Sequence, residues 1–88
     1  MSNTTKQQLS ISEIYSISKN SQRLAAWAKD RRAIERQAVM EQTALQQNYS
    51  FTPILVLSAS GELLDGFASV IVAKERGDST ILVAVKEV

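Results

Sequence analysis

Residues 53–66 read Pro53-Ile54-Leu55-Val56-Leu57-Ser58-Ala59-Ser60-Gly61-Glu62-Leu63-Leu64-Asp65-Gly66. Pro53 has no N–H to give, so no helix runs through it. The unbroken apolar run Ile54 to Leu57 behind it predicts a buried strand. Ser58 to Gly61 is a turn in which Gly61 supplies a positive φ. Glu62 to Leu64 predicts a second strand, and the pair reads as a hairpin. Asp65 and Gly66 start a helix that runs to Arg76, with Phe67, Val70, Ile71 and Lys74 or Ala73 at helical spacing and Gly77 placed to end it. Ile81 to Val85 predicts a last strand almost without polar alternation. A strand of that kind is covered on both faces or paired with another chain, so it is both a candidate internal strand under a helix and a candidate homodimer edge.

Upstream of Pro53 the period is helical. Gln22 to Gln47 has no Gly or Pro and is rich in Ala, Arg, Glu and Gln, all strong helix formers. Leu24, Trp27, Ile34, Ala38 and Leu45 form its core-facing stripe, with the aliphatic stem of Arg31 along the edge. One continuous helix would be about 39 Å long at 1.5 Å per residue, too long for so small a domain, so a bend is expected around Gln37 to Thr43. Asn48 to Thr52 ends it. Ser18 to Ser21 reads as a connector. Before it, Leu9 and Ile11 alternate with serines, and Ser10 and Glu13 have capping-box spacing, which predicts a short strand running into one helical turn. Residues 1–8 are expected to be a flexible tail, and residues 9–88 a single domain with a helical part over 20–48 and a hairpin, helix and strand over 53–88. The fold class is α/β or α+β, a small mixed sheet with helices packed on it, in the order β-α-β-β-α-β.

Composition limits the chemistry. The 88 residues include no His and no Cys, with ten Lys or Arg against nine Asp or Glu. That excludes disulfides, thiol nucleophiles, Cys- or His-ligated metals and imidazole proton shuttles. Residues 1–50 hold seven basic and four acidic side chains, residues 51–88 three and five, so a basic front meets an acidic back. No apolar run reaches membrane-span length and Met1 to Gln8 lacks a signal-peptide core, so the expectation is a soluble, cytoplasmic protein.

Pro53-Ile54-Leu55-Val56, Gly61 to Gly66, Ala73-Lys74-Glu75-Arg76-Gly77 and Ile81 to Val85 together resemble the N-terminal domain of ParB-type proteins, the fold shared with sulfiredoxin. Residues 53–85 carry the likeness, and Leu9 to Ile14 is similar to the family's opening strand and turn. The family carries its chemistry just after the Asp-Gly, as Gly-His-His-Arg, Gly-Glu-Arg-Arg or Gly-Cys-His-Arg, which holds nucleotide phosphates at a helix N-terminus. Here the matching residues are Gly66-Phe67-Ala68-Ser69. The resemblance therefore implies the scaffold without its phosphate ligands, and without the helix-turn-helix extension that full-length ParB proteins carry. Loss of the Arg removes the strongest contact, since charge-assisted bonds are roughly twice as strong as neutral ones.

The candidate binding residues are Lys29, Arg32 and Arg36, which a helix would align at i, i+3 and i+7, and Phe67, Ala68 and Ser69. The basic stripe fits phosphates or an acidic partner, and equally a solvated face. Phe67 either fills the old nucleotide cavity, the favoured reading, or presents an apolar contact. Asp65 reads as the N-cap of the second helix rather than a base or metal ligand. Trp27 reads as core rather than interface anchor.

The expected function is a non-catalytic, cofactor-free and metal-free ParB-like binding module of a plasmid, phage or other mobile element. It would act in DNA maintenance, transfer or its regulation through protein contacts, with DNA contacts as a further option. One alternative is a small phage- or plasmid-encoded inhibitor or adaptor of a host enzyme. The other is a metal-dependent nuclease using Glu62 and Asp65.

Overall fold

The structure is a computed structural model that describes residues 4–47 and 55–86. The chain order is β1 (Thr4–Ser10), α1 (Ile11–Ser16), α2 (Ser18–Trp27), α3 (Arg31–Gln46), β2 (Val56–Leu57), β3 (Leu63–Asp65), α4 (Phe67–Arg76) and β4 (Thr80–Lys86). The chain is a small α+β fold, a four-stranded mixed sheet with four helices among the described residues. The expected roles of Pro53, of Ile54 and of the terminator Asn48 to Thr52 lie outside those residues.

The sheet runs β1-β4-β2-β3. The β2–β3 pair is the expected antiparallel hairpin, with an irregular register between Val56 and Leu57. Gly61 turns it at φ +85°. α4 then carries the chain back so that β4 runs parallel to β2, with Leu57 opposite Val85. β4 also pairs antiparallel with β1 over seven residues, from Thr4 opposite Lys86 to Ser10 opposite Thr80. Its near-continuous apolar run is thus explained from inside the sheet. Both of its edges are taken, which removes it as a homodimer edge.

Register assigns the faces, because directly paired residues share one and neighbours alternate. Leu9, Ile81, Val83, Leu57 and Leu63 fall on the inner face and pack in one core with Ile11, Ile14, Leu24, Ile34, Val70 and Ile71 from the helices. Each fully buried aliphatic side chain of this size contributes about 1.5–3 kcal/mol.

Three expectations are corrected upstream. Residues 4–8 are strand rather than tail, held by the β4 ladder. Ser18 to Ser21 is the first turn of α2 rather than a connector. The long helix breaks at Ala28 to Asp30, not around Gln37 to Thr43. At the break the Asp30 N–H bonds back to the Trp27 carbonyl at 2.9 Å, and the Asp30 carboxylate caps α3 by accepting from the Ala33 N–H at 3.2 Å. A capping Asp is worth about 1 kcal/mol, enough to restart a helix where packing favours a bend. The break resets the helical phase, so Leu24 and Ile34 are buried while Trp27 is 42% and Leu45 66% exposed. Ser10 does cap α1 from the side expected, accepting from the Glu13 N–H at 3.4 Å.

Candidate functional site

The head of α4 is built by two turns of backbone chemistry. β3 ends at Asp65, and Gly66 takes φ +90°, a left-handed conformation that any side chain strains to reach. Gly66 is the N-cap, without a side-chain bond to the helix. Asp65 is therefore not the cap. Its carboxylate accepts from the neighbouring Gly66 N–H at 2.8 Å, because the strand places its side chain one residue too early.

Phe67, Ala68 and Ser69 stand together in the first turn. Ser69 is buried, and Phe67 and Ala68 are half-buried against the core. The Phe67 ring lies parallel to Trp27 at the end of α2, with centroids 5.8 Å apart and planes 5° apart. Phe67 thus packs between the core and Trp27, and Trp27 keeps one side open to solvent. Trp27 is not in the core as expected: the break after it leaves it at the surface. Arg23, one turn before Trp27 on α2, pairs with Glu62 of the hairpin turn at 3.2 Å.

The basic stripe is only partly assembled. Lys29 lies in the turn between α2 and α3, outside any helix, so the i, i+3, i+7 alignment fails. Arg32 and Arg36 do share a face of α3 and are exposed, with no ion pair among the described residues. Arg31 faces another way. It is half-exposed and donates two hydrogen bonds to Glu75 of α4, at 2.8 and 3.1 Å. Those bonds hold the Glu75 carboxyl below its usual range and raise the guanidinium of Arg31 further.

Sequence reasoning passed over two residues on the same outward side. Val39 is 62% and Met40 48% exposed. Val39 sits one turn beyond Arg36 and two beyond Arg32, so α3 presents basic groups followed by apolar ones along a single face. The signal was available: neither residue falls on the Ile34 and Ala38 stripe.

The two carboxylates of the nuclease reading are separately engaged, Glu62 by Arg23 and Asp65 by the Gly66 N–H. No three His, Cys, Asp or Glu side chains among the described residues gather where they could hold a metal ion. No helix among them is long and apolar enough to cross a membrane.

Compared with protein-family models, with curated proteins and with solved structures, the chain has no match.

Proposed function

We propose that the chain is a non-catalytic, ParB-like binding module of a plasmid, phage or other mobile element. It acts in DNA maintenance, transfer or its regulation by binding another protein. The observation that carries this reading is the head of α4. Where the resembling family places phosphate-binding side chains, this chain stacks Phe67 under Trp27 and buries Ser69. Apolar surface there supports recognition of a protein rather than of a nucleotide. The binding face is the outward side of α3, with Arg32, Arg36, Val39 and Met40; Lys29 and Trp27 are exposed at the turn that precedes it. Exposed aromatic and Arg side chains are the residue types that anchor interfaces. The partner expected is an acidic protein surface with an apolar centre.

The test is a pull-down from the native host on the full chain, with and without nuclease, using the wild type and the double variant Arg32→Glu, Arg36→Glu. A partner from the DNA-maintenance machinery that survives nuclease and is lost with the double variant supports the reading. Capture of one host enzyme unconnected with DNA supports the inhibitor alternative instead. Capture that vanishes with nuclease, together with a gel shift that weakens steeply with salt, points to DNA. Micromolar binding of CTP or ATP in titration calorimetry contradicts the loss of the nucleotide site.

A further inference from the structure

A second surface lies at the other end of the chain's architecture and does not depend on the function proposed above. β1 is an edge strand: β4 occupies one side, and no strand among the described residues occupies the other. Thr5 to Gln8 are exposed along it. A row of unpaired backbone groups of this kind is a template for an added strand.

On the inner face of the sheet, from β1 across β4 to β2 and the turn after it, runs a cleft of about 260 Å³. Gln7 and Leu9 of β1 line it together with Ile14, Ile17, Leu57 and Val85. Gln7 and Leu9 lie opposite Val83 and Ile81, so their side chains fall on the inner face of the sheet, as does Val85 opposite Thr5. The volume is below the roughly 300–1,000 Å³ typical of small-molecule sites, which suits one side chain better than a cofactor. Glu13 of α1 also lines the cleft, is exposed, and its carboxylate makes no ion pair or hydrogen bond with the described residues.

We propose that β1 and this cleft form a β-addition site for an extended peptide bearing an apolar side chain close to a Lys or Arg. The backbone edge supplies main-chain hydrogen bonds, the cleft takes the apolar side chain, and Glu13 pairs with the cation. This division of labour, affinity from main chain and specificity from a pocket for alternate side chains, is the general logic of strand addition. A second copy of the chain is a poorer occupant. Two β1 strands paired antiparallel bring mostly Thr, Gln and Lys side chains to the joint, and the one large apolar residue of β1, Leu9, already packs against the chain's own core. That leaves the cleft unfilled.

The probe is a phage-displayed library of random peptides of about ten residues, selected on the immobilised full chain, since most strands are no longer than this. The expected result is enrichment of peptides with an apolar residue near a Lys or Arg. A synthetic copy of the most enriched peptide then slows amide exchange along Thr5 to Leu9. Glu13→Gln weakens its binding about two- to fivefold, the scale of an exposed ion pair, and Glu13→Lys shifts the enriched charge from basic to acidic. Glu13 is exposed, so neither variant threatens the fold. No enrichment over an uncoated control overturns the proposal, as does a peptide that leaves exchange in β1 unchanged. Concentration-dependent protection of β1 in the free protein also overturns it, in favour of self-pairing.

Discussion

The side-chain oxygen of Asn20 accepts a hydrogen bond from the Leu63 N–H at 2.7 Å, joining residues 43 positions apart. Asn20 is fully buried, and its amide nitrogen also donates to the Ile14 and Gly61 carbonyls, each at 3.0 Å. One side chain thus ties the end of α1, the start of α2 and both ends of the Gly61 to Leu63 segment. Replacing Asn20 with Ala leaves a buried N–H and carbonyls unpaired. At roughly 1–3 kcal/mol for each orphaned group, a loss of about 3 kcal/mol is expected, a large share of a small domain's stability. Urea unfolding measures it. Asn20→Asp does not rescue, because it keeps the bond to Leu63 and turns a carboxylate towards two carbonyls.

Gly61 and Gly77 have nearly the same backbone, φ +85° and +91°, but different surroundings. A Cβ on Gly61 meets the Ile17 Cδ1 at 2.5 Å, while one on Gly77 meets nothing within 4 Å. Gly77→Ala is expected to cost only the left-handed strain, about 1–2 kcal/mol. Gly61→Ala costs more, because the Ile17 side chain must also move. Adding Ile17→Ala to Gly61→Ala should give less than the sum of the two single losses, read by a double-mutant cycle.

Glu41 is 5% exposed on the inner side of α3, where Arg76 donates to it at 3.2 Å and Gln37 at 3.1 Å. Arg76 also grips Asp78, at 2.9 and 2.6 Å. Arg76→Leu strands a buried carboxylate. Breaking a fully buried pair costs about 3–5 kcal/mol; Arg76 is itself half-exposed, so about 1–2 kcal/mol is expected after solvent screening. Glu41→Gln in the Arg76→Leu background should recover part of the loss, since the amide has no charge left unpaired. Thermal melts of the wild type, the two single variants and the double variant test this.

The Arg31–Glu75 pair makes stability depend on acid pH. Bonding from Arg31 lowers the Glu75 pKa below its ordinary 4.5 in the folded state. A depressed carboxyl binds fewer protons folded than unfolded, so the pair's contribution is complete above the ordinary value and is lost as pH falls through the folded one. The stability gap between wild type and Glu75→Gln is therefore expected to be constant near neutrality and to close below about pH 4.5. Both groups are at the surface, so high salt should narrow the gap at neutral pH as well. A gap that widens in acid contradicts the assignment.

The parts of the fold that could be read from the chain are those set by near neighbours. Positive φ at Gly61 and Gly77, the Ser10 cap over Glu13, and the change from helical to strand period across Pro53 all follow from local sterics and spacing. They placed the hairpin, α4 and β4 to within a residue or two among the described residues. At the candidate site, the local reading brought Phe67, Ala68 and Ser69 to one helix start. It also put Arg32 and Arg36 on one face.

Contacts between distant residues carried the remainder. Gln22 to Gln47 has no Gly or Pro, so its propensities favour an unbroken helix. The break at Ala28 to Asp30 comes from a weak cap at Asp30 that prevails because packing α2 and α3 on α4 requires a bend. That bend brings Trp27 out to stack on Phe67 and moves Lys29 off the helix. Asn20 lies in a polar stretch and resembles a linker residue until the N–H of Leu63 is brought to it. β4 is apolar enough for either an edge or an interior strand, and its pairing with both β1 and β2 selects the interior. An amino-acid pattern encodes the preferences of each segment at fractions of a kcal/mol per residue. Which segment meets which is selected by the burial of a shared core, a sum over pairs that no local window contains.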